Sequence, residues 1–260
     1  MKLRHLLATV LLAAVAVQAS AADLLDTVKQ HGTLTIALEG TYPPFSYKED
    51  GQLKGFEVEL GKALAQRLGV KPEFVTTEWS AMLAGLQAGK YDVVINQVGI
   101  TPQRKQSFDF STPYTISSPQ LIVRKNDTRP FKTLADLRGK TLGVGQGTNF
   151  ADMAKAVGGI DIKTYPGASE YLQDLSLGRI DAAMNDSLMI PFILKKTPLP
   201  LKAGAPVGQT EESGIAFRKG NPKFKAAINK ALADMEADGS FAKLSMQWFD
   251  RDVSKPPVAQ

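Results

Sequence analysis

The 260-residue sequence contains no cysteine and only two histidines. Without thiols there are no disulfides, thiolate zinc sites, iron–sulfur clusters, cysteine nucleophiles or lipid-modified N-terminal cysteine. His5 lies in the leader described below, so His31 stands alone in the rest of the chain. That leaves little room for a Ser-His-Asp triad and removes the usual metal ligand sets. Long apolar runs are also missing. Leu6 to Val17 spans 12 residues, short of the roughly 20 needed to cross a membrane. Charge of one sign is not in excess: 31 Lys+Arg against 26 Asp+Glu give +5, scattered too widely for a nucleic-acid surface. Gly143, Gly145 and Gly147 do not fit G-x-G-x-x-G, and no Gly-Lys-Ser/Thr follows them, so a nucleotide loop is not indicated.

What is present fits a globular protein, 43% hydrophobic and 22% charged. The length allows one large or two smaller domains. Lys2 and Arg4 precede the apolar run, and Ala19-Ser20-Ala21 supplies small residues for cleavage. Residues 1–21 therefore read as a signal peptide. Its removal leaves 239 residues at a balance of +3. Export without cysteine or anchor points to a bacterial periplasm.

The remaining chain alternates strand and helix patterns, the signature of an α/β fold with parallel sheets. Leu34, Ile36 and Leu38 alternate as in a strand, and a loop punctuated by Gly40, Pro43, Pro44 and Gly51 follows. Phe56, Leu60, Ala63, Leu64 and Leu68 have helical spacing, with Gly69 as the stop. Phe74-Val75 reads as a strand, Met82, Leu83 and Leu86 as a helix face, and Val93-Val94-Ile95 as a buried strand. The order recurs from Leu142, with strands at Leu142–Val144, Asp161–Tyr165 and Ala182–Met184. Helices run from about Asn149 to Val157 and from Ala168 to Leu177. Asn221-Pro222 opens a helix striped by Phe224, Ile228, Leu232 and Met235. Asp238-Gly239 separates it from another carrying Phe241, Leu244 and Trp248.

Each half carries Leu-x-x-Gly-basic-x-Asp-x-x-x-Asn. It reads Leu86, Gly89, Lys90, Asp92, Asn96 and then, 89 positions on, Leu175, Gly178, Arg179, Asp181, Asn185. Gly40-Thr41 and Gly147-Thr148 form a second match, offset by 107 because of the longer first loop. Two matches in one order imply two lobes of related architecture.

The most informative stretch is Asn96-Gln97-Val98-Gly99-Ile100-Thr101-Pro102-Gln103-Arg104. Thr101 fits an N-cap and Pro102 a first helical residue. Arg104 then falls in the first turn, where a cation opposes the helix dipole. An arginine there suits a bound anion, and a guanidinium with helix N–H groups suits a carboxylate. Taken alone, Arg104 reads as a surface residue and Asp186 as the start of a helix.

With Gly40-Thr41-Tyr42-Pro43-Pro44-Phe45, Gly55-Phe56-Glu57-Val58, Gly89-Lys90-Tyr91-Asp92, Ile100-Thr101-x-x-Arg104, Phe108-Asp109-Phe110-Ser111-x-Pro113-Tyr114, Gly145-x-Gly147-Thr148 and Gly178-Arg179-Ile180-Asp181-Ala182, the chain resembles the periplasmic solute-binding proteins of polar amino-acid ABC importers. Within that class it is most similar to cystine-binding proteins, through Leu38 to Phe45, Asn96-Gln97-Val98 and Gly147-Thr148-Asn149. The resemblance implies a two-lobed type II periplasmic binding protein fold, each lobe a mainly parallel sheet flanked by helices, joined by two hinge strands. Lobe 1 is expected at 22–115 and 211–260, and lobe 2 at 116–210. The implied ligand-binding set is Glu39, Tyr42, Trp79, Asn96, Gln97, Gly99, Thr101, Arg104, Thr148, Asn149 and Asp186, with no catalytic or metal-binding residue and no cofactor. In it Arg104, Thr101 and the Thr148-Asn149 backbone hold the α-carboxylate and Asp186 the α-ammonium. Gly99 admits the ligand to the backbone or offers its carbonyl. Tyr42 and Trp79 enclose the ligand side chain. Relatives often carry a hydroxyl residue where Gly99 stands, so one contact to the ammonium is missing here. For cystine, Glu39 would meet the distal ammonium and Gln97 would shape that end.

The implied partners are an amino acid and an inner-membrane permease, the protein acting as a monomer without nucleic acid. The main alternative is a periplasmic cyclohexadienyl (arogenate) dehydratase on the same scaffold, with Glu39 or Glu212 as general acid. Basic or other polar amino acids are the competing ligands.

Overall fold

The computed structural model describes residues 22–256, so the signal-peptide reading of 1–21 lies outside the described residues. The chain opens with α1 (Leu24–His31), β1 (Thr33–Leu38), the short strands β2 (Thr41–Tyr42), β3 (Ser46–Glu49) and β4 (Gln52–Lys54), and α2 (Phe56–Leu68). Then come β5 (Lys71–Thr76), α3 (Trp79–Gln87), β6 (Val93–Val94), α4 (Pro102–Ser107) and β7 (Phe108–Phe110). A second series holds β8 (Thr115–Ser117), β9 (Pro119–Arg124), β10 (Thr141–Gly145), α5 (Asn149–Val157), β11 (Asp161–Tyr165) and α6 (Ala168–Ser176). It continues with β12 (Ala182–Asp186), α7 (Met189–Lys196), β13 (Leu201–Pro206) and β14 (Glu211–Ser213). The chain then returns through β15 (Ala216–Arg218), α8 (Pro222–Ala237) and α9 (Ser240–Phe249).

Two five-stranded sheets result, ordered β5-β1-β6-β15-β7 and β11-β10-β12-β9-β13. Four strands of each run in one direction and one, β15 or β9, runs against them, so that both of its pairings are antiparallel. The sheets are thus mainly parallel, as the sequence reading expected, and mixed through one reversed strand each. The reason is topological: β9 and β15 each enter a sheet straight from a crossing between lobes and run against the strands already there. The crossings, β8 and β14, pair with each other antiparallel, Thr115 opposite Ser213 and Ser117 opposite Glu211. They form the hinge.

Both faces of each sheet are covered, which is why the central strands read as unbroken apolar runs. Leu34, Ile36, Val93 and Ile95 pack with Phe56, Leu60, Phe224, Ile228 and Phe241 on one side. Ala37 and Val94 meet Met82 and Leu86 on the other. In the second lobe, Ile122 and Ala183 face α6 and α7, while Leu121, Val144 and Met184 face Phe150 and Ala154 of α5.

The sequence repeat has a structural cause. Gly89 and Gly178 take left-handed conformations, φ 74° and 75°, at the ends of α3 and α6. The aspartate three positions later clasps the first strand of its sheet. Asp92 Oδ2 accepts from Thr35 N at 2.9 Å, and Asp181 Oδ2 accepts from Thr141 N at 3.0 Å. A further symmetric pair escaped the sequence reading. Arg218 Nη1 donates to the carbonyls of Leu86 and Tyr91, and Arg124 Nη1 to those of Leu175 and Ile180, so both sheets are locked alike. Gly40 and Gly147, the second repeat match, are also left-handed, φ 71° and 73°. They turn the chain sharply as it leaves β1 and β10.

Most helix limits agree with the sequence reading, because caps and glycine stops mark them. The segment from Tyr42 to Lys54 differs. Expected as a loop, it folds into a three-stranded antiparallel sheet, β2-β3-β4. Asn221, expected as an N-cap, makes no capping bond to α8. Asp23 does so instead, accepting from Lys223 N and Phe224 N while it also caps α1 through Leu25 N. Among the described residues no helix is long and apolar enough to cross a membrane.

Candidate functional site

Ligands of open α/β sheets bind beyond the carboxyl ends of parallel strands, and here six such ends face one cleft. From the first lobe come Glu39 after β1, Trp79 after β5, and Asn96 and Gln97 after β6. From the second come Gly145 and Thr148 at the end of β10, Pro166 to Ala168 after β11, and Asn185 and Asp186 closing β12. The cleft leaves about 650 Å³ of empty space, partly open to solvent.

On the first lobe, Thr101 caps α4 by accepting from Arg104 N at 3.2 Å. This fixes the base of Arg104, whose Nη1 donates to the Gly99 carbonyl at 3.1 Å. The guanidinium carbon lies 5.1 Å from the Trp79 ring centroid, a cation–π stack. Burial lowers the Arg104 pKa, and Glu211 and Asp152 partly oppose this. Opposite, Thr148 caps α5, accepting from Ala151 N. The Asn149 and Phe150 N–H groups in the first helical turn have no intrahelical acceptor. A Cβ on Gly99 would stand 3.4 Å from Arg104 Nη1 and 3.6 Å from Asn149 Nδ2, so guanidinium and helix terminus converge from opposite lobes. Such a corner suits a carboxylate.

The acidic groups lie deeper. Asp186 is buried, with Oδ2 accepting from Ser117 Oγ at 2.5 Å and Oδ1 from Leu188 N at 2.7 Å. Burial pushes its pKa up to about 6, against these hydrogen bonds. Glu39 Oε2 accepts from Asn96 Nδ2 at 2.7 Å, and Asn96 Oδ1 accepts from Glu39 N at 2.8 Å. Burial lifts Glu39 to about 7, Asn96 opposing. Tyr42 donates to Asn185 Oδ1 at 2.7 Å, and Asn185 Nδ2 donates to Tyr171 Oη at 2.5 Å, a direct link between the lobes.

Of the expected set, Glu39, Tyr42, Trp79, Asn96, Gln97, Gly99, Thr148, Asn149 and Asp186 line the cleft, and Arg104 reaches its edge through Gly99. Thr101 does not line it. Its hydroxyl is used as the α4 cap, and it borders a separate groove with Ile116 and Glu212. Gln97 lines the cleft, yet both ends of its side chain are engaged elsewhere. Nε2 donates to Glu57 Oε1 at 3.1 Å, and Oε1 accepts from Thr115 Oγ1 at 2.9 Å. Glu57 is fully buried, bonded also to Tyr114 Oη, and burial lifts it to about 7. Gln97 thus ties β6 to the hinge. The sequence reading missed Tyr171, Asn185, Glu211 and Ser213, all of which line the cleft. Asn185 was within reach, since it is the repeat partner of Asn96. Among the described residues, no group of three or more histidine, aspartate or glutamate side chains is placed to hold a metal ion.

Residues 34–251 match the family described as bacterial extracellular solute-binding proteins, family 3. The L-cystine-binding protein TcyJ of Escherichia coli K12 is 45% identical over 98% of this chain and all of its own length. An arginine-binding protein, ArgBP of T. maritima, in its P235GK mutant structure, superposes with a TM-score of 0.83 at 32% identity, over 88% of this chain and all of that one. The ancestral amino acid-binding protein AncCDT-1, a precursor of cyclohexadienyl dehydratase, superposes with a TM-score of 0.81 at 35% identity, with the same coverage.

Proposed function

The chain belongs to the bacterial extracellular solute-binding proteins of family 3, and from that premise we propose that it captures L-cystine between its lobes for delivery to an ABC importer. It is a periplasmic amino-acid-binding protein and not an enzyme. The observation that carries the reading is the cleft itself. Arg104 and the α5 terminus offer cationic and N–H donors at one corner, and the buried Asp186 offers a carboxylate from the other lobe. An α-amino acid presents one group of each sign. The 45% identity to L-cystine-binding TcyJ along the whole chain supports the choice of cystine.

In this reading the α-carboxylate takes Arg104 and the Asn149 and Phe150 N–H groups, and the α-ammonium takes Asp186. The disulfide lies against Tyr42 and Trp79, where sulfur–aromatic contacts are favourable. The distal ammonium meets Glu39, which Asn96 orients. Thr101 acts through Arg104 as its cap, and Gln97 through the hinge. Among the described residues, lobe 1 comprises 22–115 and 211–256 and lobe 2 comprises 116–210, a division supported by the paired crossings β8 and β14. A ligand held from both sides stabilises the closed state by its differential affinity, and micromolar binding, about −8 kcal/mol, needs only a few such contacts. The partner is an inner-membrane permease and the protein acts as a monomer.

Dehydratase chemistry requires an acid aimed at a leaving hydroxyl. Glu212, one of its two candidates, is exposed and outside the cleft, and the structural neighbour related to that enzyme is itself an amino acid-binding protein. Among ligands, arginine and histidine compete most directly, because Glu39 and the aromatic pair also suit a cation. With radiolabelled L-cystine bound, an equal concentration of either basic amino acid is expected to displace only a minor share. Displacement of most of the label overturns the cystine assignment and leaves amino-acid binding standing.

A further inference from the structure

The cleft holds one carboxylate that the roles above leave idle. Glu211 begins β14, the hinge strand by which the chain returns to the first lobe. Successive strand residues point to opposite sides: Glu211 and Ser213 line the cleft, while Glu212 between them is exposed. Glu211 is half-buried, and its Oε2 accepts from Asn149 Nδ2 at 2.7 Å. Asn149 is the first residue of α5, and its amide comes within 3.6 Å of where a Cβ on Gly99 would stand. Glu211 therefore occupies the corner shared by Gly99, Arg104 and the α5 terminus. Burial raises its pKa and the Arg104 charge draws it back. Asp186 is itself raised in part by the negative charge of Glu211. Ser117, opposite Glu211 in the paired hinge strands, donates to Asp186, so the two carboxylates flank the same end of the hinge.

An α-ammonium carries three N–H donors and needs three acceptors when enclosed. Asp186 offers one carboxylate, each oxygen of which already accepts one bond. The Gly99 carbonyl already accepts from Arg104, and glycine has no hydroxyl to add. We propose that Glu211 is a ligand-binding residue whose carboxylate accepts from the α-ammonium in the space Gly99 leaves open, so that Asp186 and Glu211 clamp the amino group from two sides. The inference rests on the amino-acid reading of the cleft. It adds a selectivity rule: a ligand without the amino group leaves the buried Asp186 and the half-buried Glu211 as two uncompensated like charges, and the clamp rejects it.

The test is calorimetric titration of L-cystine and L-arginine into wild type, Glu211→Gln and Glu212→Gln at pH 7. Glutamine keeps an oxygen for Asn149 and removes only the charge. For whichever amino acid binds wild type, Glu211→Gln is expected to weaken binding about ten- to hundredfold, as for loss of a charged hydrogen bond. Glu212→Gln, the same charge change on the exposed side of the same strand, is expected to stay within about twofold, as surface substitutions do. Conversely 3,3′-dithiodipropionate, which is cystine without its amino groups, should compete at least as well for Glu211→Gln as for wild type. Unchanged or tighter amino-acid binding by Glu211→Gln, or equal losses in both variants, overturns the clamp. If neither amino acid binds wild type, the reading beneath it fails and the clamp with it.

Discussion

Arg104→Ala loses binding of L-cystine by about 2–5 kcal/mol, roughly thirty- to several-thousandfold, while the protein stays folded. That is the cost of removing one partner from a desolvated charged pair. The guanidinium has one protein hydrogen bond, to the Gly99 carbonyl, and rests on Trp79 at 5.1 Å. Among the described residues no carboxylate lies within ion-pair distance of it, although Glu211 and Asp152 act on its charge from further away. The side chain starts at the third residue of α4, half-buried and outside the apolar cores, where alanine suits the helix. Arg104→Lys recovers little, because an ammonium cannot reproduce the planar fork that matches a carboxylate. Titration calorimetry together with a thermal melt checks both halves. Near wild-type affinity in Arg104→Ala removes the carboxylate corner from the account.

Asp186→Asn is expected to act in opposite directions on binding and on stability. Binding weakens about ten- to hundredfold with the loss of a charged hydrogen bond to the ammonium. The ligand-free protein becomes more stable at pH 7, by about 1–3 kcal/mol. Burial lifts this carboxyl to about 6 in the fold, against about 3.9 in an unfolded chain. Between those values the unfolded state holds fewer protons, so stability falls as pH rises from about 4 to about 6 and the full cost persists above. Asparagine removes it and keeps the local bonds: its oxygen accepts from Leu188 N and its amide donates to Ser117 Oγ, a hydroxyl free to rotate. The stability gain over wild type therefore vanishes below about pH 4. Thermal melts across pH, with calorimetry at pH 7, separate the effects. A loss of stability alongside the loss of affinity makes Asp186 a structural residue instead.

Local chemistry made much of this fold legible in the sequence. Thr101-Pro102 announces α4, Gly69 ends α2, and the repeat at Leu86 and Leu175 marks the same helix-to-strand turn in both lobes. The one reversed strand in each sheet was not legible, because the direction of β9 and β15 follows from the path across the hinge. No periodicity records that path. In the site, position was easier to read than use. Gln97 stands beside the cleft, but its φ of 47° and its bonds to Glu57 and Thr115 turn the side chain to the hinge. Thr101 falls in the right motif, yet its hydroxyl is spent on the cap. Tyr171 and Glu211 carry no motif. They reach the cleft through contacts with Asn185 and Asn149, residues 14 and 62 positions away, so only the three-dimensional arrangement reveals them.

Equilibrium dialysis of the purified protein against radiolabelled L-cystine tests the central claim most directly. The account predicts close to one molecule bound per chain at saturation, with a dissociation constant in the micromolar range or tighter. It also predicts loss of the bound label in Arg104→Ala at the same concentrations. A wild-type protein that retains no label at L-cystine close to its solubility limit, while remaining folded by its thermal melt, contradicts it.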